Sequence, residues 1–180
     1  LKSGKDIALI SDAGTPLISD PGQFLVEAAI QNQIRIIPIP GVTSVITALS
    51  VSGFKLENFT FYGFFPRKSG EKKILLKKIA SSSGPSVLFE SGRRLEKLFD
   101  SLSEELKPEC RILVARELTK LHETLYRSEL YKIKEILLNS EFGLKGEFVI
   151  IIDGYEEESG DILIEEEKRI IREKEEEIRK

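Results

Sequence analysis

Three observations predict an α/β fold for this chain. Short apolar runs rich in β-branched residues alternate with stretches of helical periodicity. Loops containing Gly and Pro stand directly between the two, the grammar of a parallel sheet wound with helices. A hydrophobic content of 41% in 180 residues supplies a core for one ordinary domain or two small ones.

The elements follow in order. Residues 6–11 (DIALIS) read as a buried strand, residues 12–22 as a long loop, and residues 23–31 as a helix with Phe24, Ala28 and Ile30 at roughly helical spacing. Residues 34–39 (IRIIPI) read as the next strand, Pro40-Gly41 as its break, and residues 42–51 as a helix. A second block opens with strand 59–62, loop 64–69 and helix 72–82, the helix turning Ile74, Leu75 and Ile79 inward. Strand 86–90, helix 93–102, strand 111–116, short strand 123–127, helix 130–138 and strand 147–153 complete it. Residues 55–58 mark the junction, so the expected division is 1–57, 58–154 and a charged helical or disordered tail, 155–180. Two strands cannot close a core. The first block is therefore expected to be incomplete, with apolar surface bare on Ile7, Leu9, Ile36 and Ile37 and its covering strands upstream of Leu1. The absence of any methionine points the same way.

Composition excludes several classes. No apolar run reaches the length of a membrane span, and no basic-then-apolar leader opens the chain, so a soluble cytoplasmic protein is expected. One cysteine, Cys110, and one histidine, His122, are too few for a structural zinc site, and no metal is expected. The net charge of −3 is unevenly spread. Acidic residues dominate the tail, whereas PRKSGEKKILLKK (residues 66–78) holds six Lys or Arg and one Glu. Such a stretch is either a footprint for phosphates, led by Arg67 and Lys68, or a solvated helix face.

Two loops carry the candidate chemistry. SDAGTPLISDPG (residues 11–22) follows a strand and precedes a helix, where open α/β sheets bind ligands. Gly14 permits close backbone approach, and the pattern is neither a dinucleotide fingerprint nor a Walker loop. An ordinary loop built on Asx and Ser/Thr turns fits the same residues. PIPGVTSVITALS (residues 38–50) repeats the logic, with Thr43 and Ser44 placed either to cap a helix or to touch a ligand.

These two segments, with FYGFFPRK, LFESGRRL, ARELTKLHET and KGEFVIIIDG in that order, resemble the tetrapyrrole methylase superfamily, and within it the branch that methylates ribosomal RNA. The likeness covers about residues 3–154. It implies two α/β domains with the cofactor cleft between them, the first domain incomplete here, and a homodimer. It also implies S-adenosylmethionine as cofactor, and 16S rRNA or the small ribosomal subunit as partner, methylated on a cytidine ribose 2′-hydroxyl of the decoding region. By matching position it assigns Ala13, Gly14, Thr15, Ile18, Thr43 and Ser44 to the cofactor, and puts Phe89 or Glu90 at the cleft. The family's first strand and its Pro-Ile-Gly-Asn loop are absent, as is its short C-terminal domain. Arg93 stands where many relatives carry histidine.

Methyl transfer to a ribose hydroxyl needs alignment and removal of a proton. The densest set of candidate groups is Arg116, Glu117, Lys120, His122 and Glu123. Glu117, Lys120 and Glu123 are the catalytic candidates and Arg116 an RNA contact, with a surface ion-pair cluster as the competing reading. A lysine serves as base only where its pKa is lowered. A small-substrate methyltransferase on the same scaffold, or a non-catalytic RNA-binding or dimerising fragment, are the alternative functions.

Overall fold

The computed structural model describes residues 1–155. The expected charged tail lies, but for Tyr155, outside the described residues. Two helices, α1 (Gln23–Gln31) and α2 (Ser44–Ser50), precede the sheet. Then come β1 (Thr60–Phe64), α3 (Ser69–Ala80), β2 (Ser86–Ser91), α4 (Gly92–Ser103), β3 (Arg111–Arg116), β4 (Thr124–Glu129), α5 (Leu130–Leu138) and β5 (Glu147–Ile152).

The five strands form one sheet in the order β1-β2-β5-β3-β4. β1 and β2 are parallel, because α3 carries the chain back between them. Every other pair is antiparallel, so the sheet is mixed. The last strand in sequence is thus the middle strand in space. Its run EFVIII suits that place, since a strand covered on both faces needs apolar residues at successive positions.

Side chains divide by parity. Leu88, Ile112, Val114, Phe148, Ile150 and Ile152 pack under α3, α4 and α5 with Leu76, Leu98, Phe99 and Ile133. Val87, Leu113, Ala115, Val149 and Ile151 face the other way, against Val45, Ala48 and Leu49 of α2, with Phe54, Phe61 and Phe89 alongside. Helix α2 therefore belongs to the sheet's second face. Arg127 reinforces it by donating to the carbonyl of Val51.

The strands expected at 6–11 and 34–39 do not form. Neither segment joins a ladder, because strand geometry persists only where a neighbouring strand takes up its N–H and C=O groups, and none does so among the described residues. The expected apolar exposure is present: Ile7, Leu9, Ile36 and Ile37 all lie open, as do Phe24 and Ile39. No helix among the described residues is long and apolar enough to cross a membrane.

Gly92 opens α4 beneath the loop that leads into β5. A Cβ there would stand 1.5 Å from the carbonyl oxygen of Leu144, and backbone cannot yield as a flexible side chain does. Gly92→Ala is expected to cost about 3 kcal/mol of stability, read as a lowered midpoint in urea unfolding with unchanged slope.

Candidate active site

Sheet topology gathers the chemistry-bearing residues at one end. β1 and β2 finish there, and β5 begins there, since Ser91 pairs with Glu147. β3 finishes there and β4 begins there, since Arg116 pairs with both Phe148 and Thr124.

The two loops expected to bind cofactor are clamped together. Thr15 donates its backbone N–H to the carbonyl of Val42 at 3.0 Å, and its hydroxyl to the same oxygen at 3.1 Å. Gly14 has φ +83, a conformation glycine adopts without strain, and a Cβ there would stand 3.4 Å from the Val42 carbonyl oxygen. Ala13, Gly14 and Thr15 are exposed, with Ile18 open nearby. Thr43 is the N-cap residue of α2, yet its side chain makes no capping bond; the hydroxyl of Ser44 is exposed beside it. The first loop is held at its base by Ser11, whose hydroxyl donates to Asp20 at 2.6 Å. Its Ser19 hydroxyl lies within van der Waals reach of the space over Gly63, which sets the loop beside the end of β1.

Phe89 and Glu90 face opposite sides of the sheet. The Phe89 ring stands edge-on to Phe61 at 4.8 Å and to Phe64 at 5.7 Å, on the side covered by α2. Glu90 is buried on the α4 side, where one carboxylate oxygen accepts from the backbone N–H of Ser91 at 2.7 Å. The other oxygen is 3.3 Å from an Arg94 terminal nitrogen. Only Phe89 shares a face with α2.

Glu117, Lys120 and Glu123 come together in the turn from β3 to β4. Glu117 and Thr119 both have left-handed backbones, φ 48 and 65, so the chain reverses tightly. Glu117 accepts from the backbone N–H of Glu147 at 2.7 Å, and the N–H of Glu117 returns a bond to the Glu147 carbonyl at 2.9 Å. The Lys120 ammonium sits between Glu147 Oε2 at 2.8 Å and Glu117 Oε2 at 3.2 Å. Glu123 accepts from the N–H of Thr119 at 2.6 Å and braces the turn. The Glu147 amide, seconded by Lys120, holds the Glu117 carboxyl below its ordinary range. The carboxylate of Glu147, followed by that of Glu117, pushes the Lys120 ammonium up. Lys120 therefore keeps its proton, the opposite of what a lysine base needs.

Arg116 is the residue whose surroundings differ most from expectation. It is only 5% exposed, with Nε donating to the Lys145 carbonyl at 2.6 Å and Nη1 to the His122 carbonyl at 2.8 Å. Its guanidinium lies 4.2 Å from the Phe142 ring centre, a cation–π contact, and His122 leans on the same ring. Arg116 thus ties the 117–123 turn to the loop before β5. Arg67 is exposed and makes no hydrogen bond or ion pair among the described residues; Lys68 pairs with Glu71 at 3.2 Å. Burial, with the Asp153 charge second, raises the Cys110 thiol to about 11 and leaves it inert. No group of three metal-ligating side chains exists among the described residues.

Sequence reasoning missed Glu147 and Arg94. Glu147 reads as the first residue of a strand, and its partnership with Lys120 follows only from the central place of β5. Arg94 stands in the SGRR run at a strand-to-helix turn, a signal that was present but ambiguous with an ordinary helix start.

The model of the tetrapyrrole (corrin/porphyrin) methylases matches residues 1–134. The chain belongs to the tetrapyrrole methylase family. Among its relatives, the ribosomal RNA small subunit methyltransferase I of Haemophilus influenzae is 42% identical over 154 residues, covering 86% of this chain and 54% of the relative. The namesake from Synechocystis is 43% identical over 154 residues, with the same coverage of 86% and 54%. This tetrapyrrole methylase chain spans about half the length of the curated relatives it matches. Among solved structures it is similar in fold to a cobalt precorrin-4 methyltransferase, at TM-score 0.55 and 17% identity over 73% of this chain and 57% of that one. It also matches the uroporphyrin-III C-methyltransferase of Thermus thermophilus complexed with S-adenyl homocysteine, at TM-score 0.50 and 17% identity over 77% and 62%.

The ion triad gives the chain a pH signature. A depressed carboxylate pKa contributes stability above its unfolded value near 4.5, and loses it as pH falls through the folded value. A raised ammonium contributes below 10.5 and loses it as pH climbs through the higher folded value. Lys120→Met is expected to move the Glu117 midpoint up toward 4.5, though not all the way, because the Glu147 amide remains. Carbon-detected NMR of the Glu117 carboxyl measures it; an unmoved midpoint would remove Lys120 from the triad.

Proposed function

We propose that this chain belongs to an S-adenosylmethionine-dependent enzyme that methylates a cytidine ribose 2′-hydroxyl in the decoding region of 16S rRNA, in the cytoplasm and as a homodimer. The observation that carries the reading is the identity of about 40% to relatives named ribosomal RNA small subunit methyltransferase I. The open basic segment at the same end of the sheet as the clamped loops supports it.

The cofactor fits the loops on chemistry. An adenosyl group with an amino-acid tail needs backbone that approaches closely and small polar groups, and Ala13, Gly14, Thr15, Thr43 and Ser44 offer both, with Ile18 and Phe89 as apolar neighbours. Bound there, the sulfonium supplies an electrophilic methyl for in-line displacement. The protein's own share is alignment, the larger part of the gain in such a step. The 117–123 turn is the candidate wall on the reacting side. Glu117 and Glu123 are its carboxylates, and Lys120 serves as a fixed cation rather than a base. Arg116 holds that wall in place from beneath. Arg67 and Lys68 are the RNA contacts.

The deciding experiment offers labelled S-adenosylmethionine with undermethylated small ribosomal subunits, and separately with a porphyrinoid. Label on a cytidine 2′-oxygen of 16S rRNA is the expected result. Label on the porphyrinoid alone would assign the chain to small-substrate chemistry, and cofactor binding without transfer to either would sink the enzymatic reading of this chain.

Two variants probe the parts. Gly14→Val forces a β-branched residue into φ +83. It is expected to abolish S-adenosylmethionine binding in calorimetry while the sheet stays folded by circular dichroism; undiminished affinity would take this loop out of the site. The pair Arg67→Ala and Lys68→Ala is expected to lower the salt slope of RNA binding by about 1.4, at roughly 0.7 per phosphate on single strands, and to spare cofactor affinity. An unchanged slope would mark the basic segment as a solvated face.

A further inference from the structure

The loop from β1 to α3 is pinned by one side chain. The ladder between β1 and β2 slips register between Phe61 and Phe64, and its last pair is Phe64 with Phe89. Gly63, at φ +70, lies within the slip. Such an irregularity re-aims the end of a strand. Beyond it, backbone acceptors need partners from elsewhere. Arg94 supplies them: its Nη2 donates to the carbonyls of both Phe65 and Pro66, the second at 3.1 Å. The same nitrogen stands 3.3 Å from Glu90 Oε2, on a side chain 1% exposed. Glu90 is itself fixed, since its Oε1 accepts from the N–H of Ser91 at 2.7 Å and from the Ser91 hydroxyl at 3.3 Å. Phe65 anchors the loop from below, its ring buried in the core under α3, with the Lys72 ammonium 5.6 Å from the ring centre. Arg67 and Arg94 line one groove of about 490 Å³, with Phe64 and Pro66 between β1's end and α4's start. The two arginines are committed differently. Nη2 of Arg94 carries two protons, and two carbonyls take both. Arg67 is exposed and unbonded among the described residues, while Glu71 takes Lys68.

We propose that Arg94, backed by Glu90, is a positioning residue of the RNA grip: by holding the Phe65 and Pro66 carbonyls it fixes the backbone from which Arg67 reaches a phosphate. The proposal rests on the RNA reading above, in which Arg67 and Lys68 meet the substrate. Packing alone does not call for this bond, because Phe65 already buries the apolar side of the loop. What the bond adds is a set direction for the residue that follows Pro66. A guanidinium on a loose loop gives up more freedom on binding than one on a fixed loop, and that loss is subtracted from affinity. Glu90 completes the arrangement from the β2 side. Its buried carboxylate keeps the Arg94 guanidinium at the loop, so the order of strand β2 is passed through two side chains to Arg67.

The test is a double-mutant cycle on the full chain, with a single-stranded oligocytidylate as the RNA. Affinity is measured for the unaltered chain, Arg94→Gln, Arg67→Ala and the pair. Arg94→Gln is expected to weaken binding roughly five-fold, a modest coupling between neighbours, and to add nothing once Arg67 is alanine. Arg94→Lys keeps a charge beside Glu90 and its donors on one nitrogen, and should restore part of the loss. Amide relaxation by NMR should show the 65–68 backbone loosened in Arg94→Gln with β3 and β5 unchanged; a fold-wide defect would disturb those strands as well. Should Arg94→Gln fail to fold, the unaltered chain still decides. Its Arg67 Nε signal is expected to shift as the oligonucleotide is added, while the Arg94 guanidinium protons exchange slowly before and after. An equal loss from Arg94→Gln in both backgrounds, an undiminished affinity, or freely exchanging Arg94 protons would each overturn the proposal. No binding at all by the unaltered chain would sink the RNA reading and this role with it, whereas binding with additive effects sinks only the role of Arg94.

Discussion

The central position of β5 is the constraint on which the remaining structure depends. Phe148 to Ile152 are buried on both faces, and the strand is bonded on both edges, to β2 and to β3. Both neighbours run antiparallel to it, so its first residue, Glu147, meets the last residue of β2 and the end of β3. Three loops that are distant in sequence are thereby brought to one rim. Glu117 is bonded to Glu147 through backbone and side chain, and Gly146 makes this approach possible: a Cβ at that residue, whose φ is +121, would stand 2.9 Å from Glu117 Oε1. The electrostatics of the rim follow from strand order rather than from any local motif.

The two faces of the same sheet carry different work. The face under α3, α4 and α5 is a closed apolar layer, in which Leu88, Leu98, Ile133 and Ile150 are almost without exposure. The face under α2 is covered by less chain, and it is there that the Thr15–Val42 clamp sets the two glycine-containing loops. Phe89 and Glu90 are adjacent in sequence and are divided by the pleat between these faces. Phe64 touches both regions, edge-on to Phe89 and lining the groove beside Glu90.

Much of this was legible in the sequence where the deciding physics is local. Helices at 23–31 and 130–138 are set by periodicity and stand with the bounds expected. The apolar runs at 86–90 and 111–116 are strands because β-branched runs of that length, punctuated by turns, have few other ways to bury themselves. The runs at 6–11 and 34–39 have equally good local character and form no strand, since a ladder is a property of pairs and not of segments. The loops at 11–22 and 38–50 were legible as glycine-bearing turns after apolar runs, and their mutual contact through Val42 was not. The groove at the ends of β1 and β2, lined by Phe64, Arg67, Glu90 and Arg94, was hidden for the same reason. Its walls are 23 residues or more apart in sequence, and only the parallel pairing of β1 with β2 sets Phe64 opposite Phe89.

Arg116 shows how the rim's charge is made usable. A turn bearing Glu117, Lys120 and Glu123 would fray if held only by exposed ion pairs, which are weak in water. The buried guanidinium fixes both ends of the problem, bonding His122 within the turn and Lys145 in the facing loop, over the Phe142 ring. Its planar fork suits two carbonyls in different directions, which a lysine could not reach together. With its charge spent inward, Arg116 contributes rigidity and leaves the outward positive field to Arg67, Lys68 and the lysines of α3. The rim thus separates the groups turned inward to hold shape from the groups left open to solvent. That separation lets a carboxylate-rich turn and a basic loop share one end of a small sheet without collapsing onto each other as ion pairs.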